Sequence, residues 1–110
     1  GFSQGGLMAT QLLRTRPNRI LATVILAGFI LEAVQPADTE LEATKPSVIY
    51  CHGLSDQVIS AEAVQRTEAW LTRYTDSQLH AYEGLGHTVD DRVLRDVALY
   101  LENYSISKMP

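Results

Sequence analysis

The stretch of residues 20–27, which runs from Ile20 to Ala27, is almost continuously apolar and rich in β-branched side chains. It narrows the possible folds more than any other part of the chain. A strand wet on one face alternates apolar and polar residues, whereas a continuous apolar run marks a strand covered on both faces, as in a parallel sheet flanked by helices. Even extended to Leu31, the run is broken by Thr23 and Gly28 and stays well short of the ~20 residues that cross a bilayer. A central buried strand is expected here, not a membrane span.

The flanking segments fit a sheet that alternates with helices. Over residues 4–14, Leu7, Met8, Leu12 and Leu13 with Ala9 follow helical spacing, and Pro17-Asn18 closes the segment. Residues 29–45 lose periodicity and carry Glu32, Asp38, Glu40 and Glu42 with Pro36, which reads as a loop with a solvated acidic face. Residues 47–52 form a second strand that leaves through Gly53-Leu54-Ser55-Asp56. Ser60 is placed as the N-cap of a second helix whose stripe is Val64, Thr67, Leu71 and Tyr74. Residues 78–82 form a third, short strand, and Glu83-Gly84-Leu85-Gly86 turns into His87. Thr88 with Asp91 resembles a capping box, and Val89, Val93, Val97, Leu101 and Tyr104 line a last helix to about residue 103. The expected class is therefore α/β: three parallel strands with flanking helices, joined by right-handed crossovers in one unit.

Bulk properties exclude several functions. The 110 residues carry 9 Lys and Arg against 13 Asp and Glu, which leaves no basic stripe for phosphates and argues against a nucleic-acid partner. The lone Cys51 cannot form an intrachain disulfide, so a reducing compartment, the cytoplasm, is expected.

Chemistry concentrates at the strand exits. Gly1-Phe2-Ser3-Gln4-Gly5 fits G-x-S-x-G, in which small residues on either side of the serine permit a strained strand-to-helix turn that projects the hydroxyl. At a helix start, the Gln4 N–H and the helix dipole would favour developing negative charge. Gly5 and Gly6 would let the helix pack closely on the sheet. Taken alone, the pentapeptide reads equally well as a turn that caps a helix. Asp56 just past the second strand, alone, is a turn aspartate, and His87 past the third is a loop histidine. Together they supply what a serine nucleophile requires, a base of near-neutral pKa and a carboxylate to orient it, at the sheet edge where open α/β folds place reactive groups. Their chain order, Ser, Asp, His, is that of α/β-hydrolases.

The blocks Gly1-Phe2-Ser3-Gln4-Gly5-Gly6, Leu26-Ala27-Gly28-Phe29, residues 47–59 around His52-Gly53-Leu54-Ser55-Asp56, and Tyr82-Glu83-Gly84-Leu85-Gly86-His87 resemble the carboxylesterase, lysophospholipase and acyl-protein thioesterase family of small α/β-hydrolases. That resemblance covers nearly the whole chain. It implies Ser3 as nucleophile, Asp56 as acid, His87 as base and Gln4 as an oxyanion donor, in a hydrolase of short to medium acyl esters, lysophospholipids or acyl thioesters working through an acyl-enzyme. No metal or cofactor is implied. Ile59 and Ser60 stand where the family has Val-Pro, and Phe29-Ile30-Leu31-Glu32 replaces a stretch of small residue, Gly, aromatic, Leu and Pro. Phe29, Ile30 and Leu31 are expected to wall the acyl pocket. The resemblance further implies the C-terminal fragment of a single α/β-hydrolase domain, starting at the nucleophile turn. The strand before that turn and a second oxyanion donor would precede Gly1, so the isolated chain is expected to be inactive, and the edge of residues 20–27 is expected to pair copies into homo-oligomers. The alternative is a non-catalytic α/β module that keeps these residues and acts through contacts.

Other reactive side chains have plainer roles. Cys51 in an apolar strand reads as a small buried hydrophobe. His52 and Asp56 lack a third metal ligand, and His52 is expected to brace the turn. His80 alternates with Leu79 and Ala81 as a strand residue, and Trp70 is expected in core packing or a partner contact and not as a substrate platform.

Overall fold

Three parallel strands and four helices alternate along the chain in the computed structural model, which describes residues 1–109. Helix α1 (Gln4–Thr15) leads through a short 3-10 turn, Pro17–Arg19, to strand β1 (Thr23–Leu26). Helix α2 (Asp38–Thr44) and strand β2 (Ser47–Gly53) follow, then helix α3 (Ala61–Tyr74), strand β3 (Asp76–Tyr82) and helix α4 (Asp91–Ser107). The sheet order is β1-β2-β3, with Ile25 opposite Tyr50 and Tyr50 opposite Leu79. This is the α/β architecture expected of the sequence.

The alternation of β2 side chains divides the core into two layers. Val48 and Tyr50 pack with Ile25 against Leu13 of α1, Leu41 of α2 and Trp70 and Leu71 of α3. Ile49 and Cys51 face the other way, toward Tyr82, Leu85 and, on α4, Val93 and Tyr100. Of the two roles expected for Trp70 the structure gives core packing, and Ser60 caps α3 by accepting from the Ala63 N–H at 3.1 Å.

The strand buried on both faces is β2 and not the run that begins at Ile20. Six consecutive β2 residues are buried, whereas β1 spans four residues at the sheet edge with Val24 and Leu26 half-buried. Leu21 ahead of it is 80% exposed. The outer edge of β1 is also engaged in part. Gly1 donates to the Val24 carbonyl and accepts from the Leu26 N–H, and Phe2 forms a parallel bridge with Leu26.

Helix α2 falls inside the segment expected to be a loop, and Asp38 is not part of a solvated face. Its carboxylate grips the Arg14 guanidinium through two 2.8 Å contacts, and both residues are buried, Arg14 at 1% exposure and Asp38 at 4%. The same guanidinium donates to the Leu31 and Ala33 carbonyls and lies 4.9 Å from the centre of the Trp70 ring. One cation therefore ties α1, the segment after β1, α2 and α3 together. At α4 the cap is Asp90, which accepts from the Arg92 and Val93 N–H groups, and not Thr88. The buried face of that helix runs through Tyr100, hydrogen-bonded to Ser47 at 2.6 Å, while Leu101 stays exposed. Among the described residues no helix is long and apolar enough to cross a membrane.

A buried charge left without its partner is strongly destabilising, whereas an exposed pair contributes little. Asp38→Ala is expected to lower unfolding stability by about 3–5 kcal/mol in urea titrations. Glu32→Ala, which removes an exposed partner of Arg66, is expected to change it by less than about 1 kcal/mol.

Candidate active site

Two close backbone approaches bring the strand exits together. A side chain at Gly28 would stand 2.7 Å from the Ile25 Cγ2 and 3.0 Å from the Gly6 Cα, so the first turn of α1 rests directly on the β1 exit. Gly6 serves this contact; Gly5 is exposed with open space around it and does not. At the end of β2, a Cβ on Gly53 would meet the carbonyl oxygens of Leu85 and Gly86 at 2.1 and 2.6 Å. Only glycine permits the turn after β2 to lie against the turn after β3. Backbone bonds from Leu54 N–H to Tyr82 O and from Ser55 N–H to Leu85 O, both 2.9 Å, hold the two turns in place.

Ser3, His87 and Asp56 meet on this platform. Ser3 takes φ 57° and ψ −119° between the Phe2 bridge and α1, a conformation that a side-chain-bearing residue adopts only under local constraint. Its Oγ lies 2.8 Å from His87 Nε2, and His87 Nδ1 lies 2.8 Å from Asp56 Oδ2. An ionised carboxylate can only accept, so Nδ1–H donates to Asp56, and Nε2 is left free to accept from the serine hydroxyl. The Phe2 ring, 5.1 Å from the imidazole centre, packs beside it.

Asp56 is fixed from both sides. Its Oδ1 accepts from the N–H groups of Val58 at 2.8 Å and Ile59 at 3.0 Å, and its side chain is 4% exposed. Burial pushes its carboxyl upward in pKa, but the Ile59 N–H, the His87 hydrogen bond and the Val58 N–H outweigh it and hold the group below the usual carboxylate range. That Asp56 binds the backbone of its own turn accords with its reading as a turn aspartate, whereas the Phe2 packing was not anticipated from sequence. For Asp56 the available sign was its place two residues before Val58 in a turn, since that spacing lets a carboxylate bind its own turn.

Gln4 is exposed at the first position of α1, where helix N–H groups lack partners within the helix. The three residues expected to wall a pocket differ in exposure. Ile30 is 3% exposed inside the core, its N–H donating to Thr67 Oγ1 at 3.2 Å, whereas Phe29 is half-buried and Leu31 is 41% exposed. Cys51 is a buried free thiol, pushed up in pKa by burial, and His80 sits half-buried on β3 beside Asp96. Among the described residues His52 makes no hydrogen bond that braces the turn; its ring stacks on Tyr50 at 5.2 Å. Among the described residues no group of three His, Cys, Asp or Glu side chains is arranged to hold a metal ion.

The chain is similar in sequence and fold to known esterases. The sequence profile described as Phospholipase/Carboxylesterase matches residues 1–105. The chain is 33% identical to the esterase YpfH of Escherichia coli over 98% of its own length and 44% of the relative's. It is 29% identical to acyl-protein thioesterase 1 of Eremothecium gossypii over 93% of this chain and 45% of that one. Among solved structures, esterase PE8 superposes with a TM-score of 0.71 at 30% identity, covering 94% of this chain and 48% of the other. The chain thus spans less than half the length of these relatives.

The lowered Asp56 carboxyl has a consequence for stability. A group whose folded pKa lies below its unfolded one stabilises the fold fully above the unfolded value and loses that contribution as pH falls through the folded value. The stability difference between the wild type and Asp56→Asn, followed by urea unfolding, is expected to be widest above about pH 5 and to shrink toward about pH 2.

Proposed function

Since the chain belongs to the phospholipase/carboxylesterase family, we propose that Ser3, His87 and Asp56 are the nucleophile, base and acid of a serine hydrolase. Its substrates in this reading are carboxylic esters of short to medium acyl length, with lysophospholipids and acyl thioesters in the same class. The observation that carries the reading is the continuous line from Ser3 Oγ through both imidazole nitrogens to Asp56, each contact 2.8 Å. Relatives called an esterase and an acyl-protein thioesterase support the substrate class.

The chemistry follows from that line. His87 Nε2 takes the hydroxyl proton as Ser3 Oγ attacks the ester carbonyl carbon, and Asp56 stabilises the imidazolium that forms. Negative charge moves onto the carbonyl oxygen, where the Gln4 N–H and the start of α1 favour it. Collapse of the tetrahedral adduct expels the alcohol or thiol, which leaves with the proton returned by His87. An acyl-Ser3 ester remains. Water, deprotonated by His87, then attacks that ester and releases the acid and the free serine. Phe29 and Leu31, which keep accessible surface, are proposed to line the acyl path, with Ile30 as backing from the core.

The setting proposed for this reaction is the cytoplasm, which accords with a single buried thiol. Residues 1–110 expressed by themselves are proposed to be inactive, because sites of this kind draw a second oxyanion N–H from a loop after an earlier strand. If copies associate through the β1 edge, they do so around Thr23, since Gly1 already occupies Val24 and Leu26.

A fluorophosphonate probe on the full-length protein tests the reading. Labelling is expected at Ser3 and should vanish in Ser3→Ala, while His87→Ala should slow ester turnover about 10⁴-fold or more. Undiminished labelling of Ser3→Ala would show that another group is the nucleophile.

A further inference from the structure

Tyr82 is held at both ends. Its backbone carbonyl accepts from the Leu54 N–H at 2.9 Å, which ties the exit of β3 to the turn that carries Asp56. Its side chain, 7% exposed, reaches α4, where the hydroxyl donates to Asp96 Oδ2 at 2.7 Å and lies 3.6 Å from Cys51 Sγ. Burial, and then the bond to Asp96, push that hydroxyl well above its usual pKa, so it stays protonated and remains a donor. One helical turn earlier on the same face of α4, Arg92 donates to the Glu83 carbonyl at 3.1 Å and lies 5.5 Å from the Tyr82 ring centre. Asp90, the cap of α4, holds the Arg92 guanidinium through contacts of 2.8 and 2.9 Å.

These bonds act where the site has least support. Among the described residues β3 is the outer strand of the sheet and pairs only with β2. His87 follows it after the turn Glu83-Gly84-Leu85-Gly86, in which Gly84 takes φ 73°. Leu85 shares an apolar layer with Val93 of α4, and contacts of that kind are non-directional. A hydrogen bond fixes both distance and direction. The imidazole must meet two partners at once, each at 2.8 Å, and a misplacement of about 1 Å can cost about 100-fold in rate.

We propose that Asp96 is a positioning residue for the hydrolysis: through the Tyr82 hydroxyl it anchors the exit of β3 to α4 and so holds His87 on the line between Ser3 and Asp56. Its effect on turnover rests on the hydrolase reading; its effect on the His87–Asp56 bond does not. A second bond, from Ser47 to Tyr100 at 2.6 Å, also joins α4 to the sheet, but at the start of β2 and the opposite end of the strands. Its loss loosens the same helix without reaching His87.

The test uses two readouts on the full-length protein: turnover of a chromogenic short-chain ester, and the NMR resonance of the His87 Nδ1 proton, which reports the bond to Asp56 without turnover. Tyr82→Phe removes only the hydroxyl. In it, and in Asp96→Ala, kcat is expected to fall about 10- to 100-fold with KM little changed, and the Nδ1 proton to move to higher field. Asp96→Asn keeps an oxygen that accepts from the hydroxyl and is expected to stay close to the wild type in both readouts. Ser47→Ala is expected to leave both unchanged. An unmoved Nδ1 resonance in Tyr82→Phe, an equal displacement in Ser47→Ala, or a loss in Asp96→Asn as large as in Asp96→Ala would overturn the proposal. Should the wild type prove unreactive toward the fluorophosphonate, the hydrolase reading falls, while the resonance still decides the role of Asp96.

Discussion

At the end of β2 the backbone of Gly53 lies against the carbonyls of Leu85 and Gly86, closer than any Cβ would allow. Nearly everything at the upper edge of the sheet follows from that approach. It sets the separation of the two exit turns, and with the Ser55-to-Leu85 backbone bond it delivers Asp56 to His87 at hydrogen-bond distance. A larger residue would have to push the turns apart, and a displacement of an ångström would break both imidazole contacts at once. The matching approach of Gly6 to Gly28 does the same for Ser3, because it fixes where α1 begins relative to the sheet. The reactive geometry is thus set by backbone contacts, with the side chains locked afterwards by the Val58 and Ile59 N–H groups and by Phe2.

Much of this was legible in the sequence where residue type and local geometry are tightly coupled. Glycines near Ser3, Asp56 and His87 announced turns; Asp56 and His87 fall past the second and third strands as foreseen, and Ser3 at the foreseen helix start. What escaped reading depended on partners distant in the chain. Helix α2 looked like an acidic loop because nothing local reveals that Asp38 will meet Arg14, 24 residues earlier. The run from Ile20 was read as the central strand, yet apolar continuity does not say which of two strands lies between the others. The α4 cap moved from Thr88 to Asp90 because competing cap residues two positions apart differ only in the path of the incoming turn. Ile30 was foreseen at a pocket wall and is instead core, since its neighbours come from α1, α2 and α3.

The Arg14 guanidinium shows how one side chain can stand in for a longer hydrophobic core. Four of its five N–H donors are engaged by Asp38 and by the Leu31 and Ala33 carbonyls, so the segment after β1 is held without regular secondary structure. A lysine could not do this, because the fork geometry and the stacking on Trp70 are properties of a planar cation. That segment carries Phe29 and Leu31, so the surface proposed to line the acyl path is coupled to a charge buried far down α1.

The hydrogen bond between Ser3 and His87 joins residues 84 positions apart. Closing so long a loop has an entropic cost that no local contact offsets. The native contact between imidazole and serine thus depends on the paired strands β1, β2 and β3 that lie between them in the chain. Contacts of such high sequence separation slow folding. The hydroxyl and the imidazole act, in effect, as the two ends of a clasp, and its state at any moment records whether the whole length of chain between them is assembled.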